Sequence, residues 1–535
     1  MLALLYKLLN DKGNINNGVR MKFYIVSILF TFSLVLNATV YVEKQKLTQG
    51  QKLRSLPYYI EEHGQIKNQK TYEEVVDNTK NNKVQTLSLQ KIPSGFELRK
   101  VIEQGPFSNR INLTFLGDGY TLAEKEKFFG DVNRTVDGLF KGNTFKSYLS
   151  LFNVYAVFVP SAQSGIGDGL PKNTAFKLYR TPKGSKRAIY PGDENALEQA
   201  LKLAPATDYP IVIANDDFYG GLGGRFAIST RSVESGLVVL RHELGHNFGE
   251  VGEEYDNGSV YIGANSSRSK NVTWMHWVDT FFKVFESKLL TGDYVWKNLK
   301  QGPYQAQFNN QEFADGFFFG QISTVGWQTA NDVTVKIDDQ VLPLKGKYSS
   351  DRNFYDISPV QNFPKGNHLF SAQENIKDGD NVLGFAELYS APSDYDFTPN
   401  RVAAFATFDE NQRKTYRPTH GSCLMREMTY DRFCAVDQEN IWQKFTNRVS
   451  LIDDLKTQKT ISGYDLQLKT IQLSGLNIRW FQISGESVIE LKNIENLKNW
   501  TTKISGNYRL KVSFRTPEVR QYTDGFDVVR DFKLQ

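Results

Sequence analysis

The chain has 535 residues, 40% of them hydrophobic and 13% aromatic, enough for folded cores and for roughly two to four domains. A formal charge of +5 with no long basic block argues against nucleic acid as the main partner. Only two cysteines occur, Cys423 and Cys434, which leaves room for a single bridge and no disulfide-rich scaffold.

"MKFYIVSILFTFSLVLNA", from Met21 to Ala38, has a lysine, an apolar core and a small residue at its end, which is the grammar of a signal peptide. Its apolar run of about fifteen residues is short for a membrane span. Residues 1–38 are therefore expected to be an N-terminal extension and signal peptide, with Met1 and Met21 both open as starts. The expected location is secreted, or associated with the cell surface, with no stable membrane span once the signal is removed. Residues 39–105 are polar and weakly periodic and read as a pro-region or a small peripheral unit.

From Ile111 the pattern changes. "INLTFLGDG" reads as a buried strand ending in a turn. "TLAEKEKFFGDVNRTVDGLF" follows with a Thr cap and Phe128, Val132, Val136 and Leu139 at helical spacing. "FNVYAVFVPS" is a second strand, "NALEQALKLA" a helix and "YPIVIAND" a third strand. Such alternation predicts a largely parallel sheet. "DDFYGGLGGRFAIST" adds a glycine-rich loop and a short strand, and "SVESGLVVLRHELGHNFGE" reads as a long helix. Residues 300–400, with alternating "DVTVKIDDQVLPLKG", read as an inserted β-sandwich; 401–460 return to the first domain, and 461–535 form a terminal β unit. The fold class is α+β: a catalytic domain over 106–299 and 401–460 with a mixed, largely parallel sheet and an active-site helix, plus the two β-rich parts.

The chemistry sits in "RHELGHNFGEVGEEYDNG", from Arg241 to Gly258. On a helix, residues four apart share a face, so His242 and His246 can offer imidazole nitrogens to one zinc ion. Glu243, about 100° around, can reach a water at that ion and take its proton. The plain alternative is a surface helix with two solvated histidines. Three residues beyond Gly249, where a third histidine would complete one familiar form of this motif, stands Gly252. The third ligand must be sought elsewhere: Glu250, Glu253 and Glu254 are near, His276 and His420 farther off. On an unbroken helix Glu253 would sit about 10 Å along the axis from His246, so the helix must stop or turn, and Gly249 and Gly252 are the residues expected to permit it. Glu253 is preferred on a resemblance described below, as the match to a family aspartate. Glu254 is the runner-up, with a hydrogen-bonding role to a ligand histidine as its other reading. Met425 in "GSCLMRE" is expected as an apolar floor beneath the ligands, a Met-turn, with an ordinary core methionine as the plain reading.

Several ordered blocks together resemble the immunoglobulin-A-peptidase-like zinc metallopeptidases, metallopeptidase family sixty-four. These are "INLTFLGDGYT" at 111–121, "SYLSLFNVYAVFVPSAQSG" at 147–165, "FYGGLGG" at 218–224, "HELGHNFGEVGEEY" at 242–255 and "YRPTHGSCLMRE…FCAV" at 416–436. The resemblance implies a zincin-like fold, Zn2+ as cofactor and endopeptidase activity, with His242 and His246 as ligands and Glu243 as general base. The chain departs at Glu253, where the family usually carries Asp.

A secreted zinc endopeptidase acting on a protein or peptide is the leading reading; the alternative is a secreted binding or adhesion protein with an inactive peptidase-like domain. With secretion come two further expectations: a Cys423–Cys434 disulfide, and glycosylation at one or more of Asn112, Asn133, Asn257, Asn265, Asn271 and Asn499.

Overall fold

The computed structural model describes residues 93–535 apart from 182–185, 280, 314 and 377, and the backbone of two strands, Gln51–Glu62 and Gln65–Asp77, which pair antiparallel. The signal-peptide segment and most of the expected pro-region lie outside the described residues. The architecture is mixed α and β, with many strands in several sheets and few helices.

A six-stranded sheet positions the site. Its strands are β1 (Glu97–Ile102), β2 (Ile111–Asp118), β3 (Phe152–Phe158), β4 (Tyr209–Ala214), β5 (Gly221–Leu222) and β6 (Ala227–Thr230), in the spatial order β5-β6-β4-β2-β3-β1. The four central strands run parallel, and β1 and β5 pair antiparallel at the two edges. The chain thus joins this sheet at Glu97, within the segment expected to be peripheral. The apolar runs of β2 and β4 follow from burial on both faces. Ile211 and Ile213 face one core, shared with helices α1 (Lys125–Lys141), α3 (Gly236–Gly249) and α4 (Ala435–Thr446). Val212 and Ala214 face the other, shared with α2 (Glu194–Leu201). Ahead of α1, Thr121 and Glu124 form a capping box, two backbone donors satisfied at once.

Val284–Phe285 and Ala404–Phe408 lie side by side as parallel strands, so the chain between them leaves and returns at one place. That chain, from Lys288 to Ala391, forms two antiparallel sheets. Phe318, Ile322, Tyr355 and Leu388 of one sheet meet Phe308, Val335 and Phe370 of the other in a common core. The alternation at Val333, Val335 and Ile337 points all three inward. After α4, strands between Ile452 and Leu534 form two more antiparallel sheets, seated against α4 through Trp442 and Phe514, whose ring centroids are 5.0 Å apart. Among the described residues, no helix is long and apolar enough to cross a membrane.

Candidate functional site

Helix α3 is buried around most of its circumference, which holds its side chains in fixed positions. The rings of His242 and His246 stand nearly perpendicular, with centroids 4.8 Å apart. Each ring has its Nδ1 at a backbone carbonyl: His242 at Leu424, 3.2 Å, and His246 at Val251, 2.8 Å. A carbonyl only accepts, so each Nδ1 carries a hydrogen, and in its neutral form each ring turns the lone pair of Nε2 inward. Those two Nε2 atoms are 3.2 Å apart.

The helix then stops. Glu250 takes a left-handed conformation, φ 52° and ψ 40°, and its N–H bonds back to His246 O at 2.8 Å. The chain folds over, with Gly252 N donating to Ile262 O and Glu253 N to Val260 O. The left-handed residue is therefore Glu250, and neither glycine supplies it. Gly249 ends the helix in ordinary conformation. Gly252 serves close approach instead, since a Cβ there would lie 2.5 Å from Val260 O. The fold-back brings Glu253 to the histidines: Oε1 is 3.2 Å from His246 Nε2 and Oε2 is 3.2 Å from His242 Nε2.

Three lone-pair donors thus converge in a buried place, and Glu253 Oε2 makes no hydrogen bond. Such a trio is unfavourable unless a proton or a cation sits in its midst. Burial alone would lower the pKa of His246, but the Glu253 carboxylate outweighs it and raises the pKa to about 9. Burial conversely would raise Glu253, and the two histidines hold it well below the ordinary carboxylate range. Two imidazoles and one carboxylate also form a donor set that suits zinc, so the residues present fit the metal.

Met425 packs beneath this group. A Cβ added to Gly245, between the two histidines, would lie 2.6 Å from Met425 Sδ and 2.7 Å from the Phe433 ring. The same segment anchors His242 through Leu424 O and receives Glu254 N at Met425 O, 3.1 Å. Glu243 lines the cleft beside His242, His246 and Glu253. Burial, aided by the Glu253 charge, raises its pKa against the pull of the two histidines. Tyr255 joins the lining, its ring 6.2 Å from that of His242. β5 forms the near rim through Gly221 and Leu222, although Gly221 N already donates to Arg187 O at 2.9 Å.

The remaining candidates go elsewhere. Glu250 pairs with Lys444, and His276 with Glu439. His420 sits among aromatic rings and shares a hydrogen bond between its Nδ1 and the Tyr395 hydroxyl, 3.0 Å. Glu254 orients neither histidine, because backbone carbonyls have that role.

One expectation is corrected, and the candidate sequons divide by burial. Cys423 and Cys434 are free, buried thiols rather than a disulfide; Cys423 Sγ donates to Asp437 Oδ2 at 3.1 Å, and its sulfur accepts the Cys434 N–H at 3.3 Å. Among the sequons, Asn112 and Asn265 are buried, with amides donating to Phe107 O and to Gly252 O, so neither can carry a glycan on the folded chain. Asn257 is half-buried and donates to Gly292 O, while Asn133, Asn271 and Asn499 are exposed.

Residues 100–313 match the family described as IgA Peptidase M64. Over that stretch the chain is similar to this family. The match takes in His242, Glu243, His246 and Glu253 and ends before Met425. As a metallopeptidase family it implies a metal cofactor and peptide-bond hydrolysis. No curated protein matches the chain. Similar solved structures include a Faecalibacterium prausnitzii beta-glucuronidase (11% identity, 43% of this chain and 36% of that one, TM-score 0.11). A Kluyveromyces marxianus beta-glucosidase has 9% identity over 44% of each chain, TM-score 0.14. A Paenibacillus sp. cycloisomaltooligosaccharide glucanotransferase has 10% identity over 64% of this chain and 50% of that one, TM-score 0.12. The chain thus spans half or less of these proteins, and at such scores the likeness says nothing about its fold or chemistry.

Sequence reasoning missed the far wall of the cleft. It comes from the inserted sheets, through Gln321, Arg352, Phe354, Phe385 and Glu387. Glu387 accepts from the Tyr389 hydroxyl at 2.7 Å, and Asp256 Oδ2 lies 2.7 Å from that hydroxyl and 3.1 Å from Arg426 Nη1. This buried network binds the insert to the loop after Glu253 and to the Met425 segment. A sequence signal was present: a glutamate interrupts the apolar run "NVLGFAELYSAP", and a charge in a buried strand asks for a partner.

Proposed function

We propose that the chain is a secreted zinc-dependent endopeptidase. The observation that carries this reading is the meeting of His242 Nε2, His246 Nε2 and the Glu253 carboxylate, each pair about 3.2 Å apart, on a cleft that Glu243 shares. His242, His246 and Glu253 would hold the ion. Bound there, zinc supplies Lewis-acid activation of water and of the scissile carbonyl. Glu243 accepts the proton of the attacking water and hands it to the departing amine, so that one carboxylate serves as base and then as acid. Leu424 O and Val251 O keep the two imidazoles in the tautomer that binds a cation. Tyr294, Phe354 and Phe385 give the same cleft an aromatic side against which a peptide side chain can pack. Secretion rests on the Met21–Ala38 segment alone.

Glu243→Gln separates the roles. The variant is expected to keep its zinc and its folding transition while casein cleavage falls by a factor on the order of 10² or more. His246→Ala is expected to lose the zinc itself. Near-full cleavage by Glu243→Gln would overturn the assignment of the base, and zinc retained by His246→Ala would overturn that of the ligand.

A further inference from the structure

Behind the His242–His246–Glu253 group, four more ligand-type side chains meet. Glu254, Cys423, Cys434 and Asp437 each offer one donor atom, and these atoms all lie within 4.8 Å of one another. All four residues are buried, with exposures of 0%, 0%, 3% and 1%. They come from three separate segments: the loop after α3, the Met425 segment, and the start of α4, where Cys434 is the N-cap. Glu254 Oε2 and Asp437 Oδ1 have no hydrogen-bond partner. Asn265 Nδ2 reaches only Glu254 Oε1, at 3.2 Å. The Arg417 guanidinium spends its N–H groups on the carbonyls of Ala406, Thr419 and His420. Four acidic groups gathered in a buried place, two with orphaned oxygens, are costly unless protons or a cation compensate them.

We propose that this cluster is a second metal site, holding a zinc-class divalent ion through the thiolates of Cys423 and Cys434 and the carboxylates of Glu254 and Asp437. Thiolate donors select zinc over calcium or magnesium. Four protein ligands in a closed, buried place make a structural site, with no position left for substrate. The Cys434 backbone N–H directed at Cys423 Sγ, 3.3 Å away, is the kind of outer contact that supports a metal-bound sulfur. Binding releases the thiol protons to solvent. The site is distinct from the catalytic one but placed to serve it. Glu254 follows Glu253 directly, and Cys423 precedes Leu424 and Met425, which anchor His242 and underlie the helix. One ion would thereby tie the loop carrying the third catalytic ligand to the segment beneath the histidines and to α4.

The test counts metal in the intact chain purified without chelator. Wild type is expected to hold two equivalents of zinc and His246→Ala one. In the cobalt-substituted protein a thiolate-to-cobalt charge-transfer band is expected, because the catalytic group contains no sulfur; the band should persist in His246→Ala and disappear in Cys434→Ser. Should Cys434→Ser fail to fold, the wild-type and His246→Ala spectra still decide. A single equivalent in wild type that vanishes with His246→Ala, or two equivalents without the sulfur band, overturns the proposal. So does recovery of Cys423 and Cys434 in a disulfide from the natively digested protein. Casein cleavage plays no part in these readings, so a failure of the peptidase reading remains distinguishable.

Discussion

Gly245 and Gly252 show how single hydrogen atoms shape the site. At Gly245 the missing side chain is the space that Met425 and Phe433 occupy; at Gly252 it is the space taken by the backbone of Val260. Gly252→Ala must therefore displace either its own loop or the 260–262 segment. It is expected to lower stability by about 1–3 kcal/mol and to reduce zinc content, because the displaced residue is next to Glu253. Denaturant unfolding together with metal analysis checks this; an unfolding midpoint and zinc content equal to wild type would refute it. Met425 is fully buried, so Met425→Ala should cost about 2–5 kcal/mol, whereas Met425→Leu keeps the volume and should cost below about 1.5 kcal/mol. If Met425 is the floor of the site, cleavage should fall with the Ala variant and largely survive in the Leu variant.

At the scale of elements, the decisive feature is how α3 ends. A left-handed residue turns the chain back on itself, and here that residue is a glutamate. A side chain in this conformation costs about 1–2 kcal/mol relative to glycine. Glu250→Ala and Glu250→Gly both lose the Lys444 pair, so their difference isolates the strain. The Gly variant should be more stable than the Ala variant by roughly 1 kcal/mol, measured by thermal or denaturant unfolding. Equal stabilities would mean that the turn carries no such strain. The inserted sheets matter at the same scale, because they supply a wall of the cleft. Phe385→Ala, remote from all three ligand side chains in sequence and element, is expected to leave zinc content unchanged while lowering kcat/KM on peptide substrates; loss of zinc would show that the wall also supports the metal group.

Across the whole molecule, two buried groups set opposing pH dependences. Burial, helped by Arg417 and Arg426, pushes His420 down to about 3. Its unfolded form gains a proton below about 6.5, so the stability it contributes is present above that pH and is lost as pH falls from about 6.5 towards 3. Glu387 behaves the other way. Burial pushes it up to about 7 against the pull of Arg426, so the folded protein holds an extra proton between about 4.5 and 7, and this contribution is lost as pH rises through that window. His420→Phe should lessen the loss on the acid side of the stability profile, and Glu387→Gln should lessen the loss on approaching neutrality, to which Asp437 and Glu427 also contribute. Unfolding free energies at a series of pH values, with zinc present throughout, check both; profiles parallel to wild type would refute them.

The sequence by itself determined the parts whose chemistry is local. The spacing of His242 and His246 fixed two donors on one helical face, because helix geometry alone places residues four apart together. The doubly buried strands at 111–118, 152–158 and 209–214 were legible as apolar runs; that the helix had to end before Glu253 and Glu254 was legible too, and the preference for Glu253 came from its match to the Asp of the family that the sequence resembles. Tertiary structure decided the rest. That Glu250, and not a glycine, takes the left-handed turn, and that Gly252 instead makes room for the Val260–Ile262 segment, appear only in the folded chain. That the two thiols stay apart depended on Asp437 and Glu254 arriving beside them from other elements. The insert's place as a cleft wall, and the burial of Asn112 and Asn265, came from contacts between residues far apart in the chain, for which one sequence carries no periodic signal.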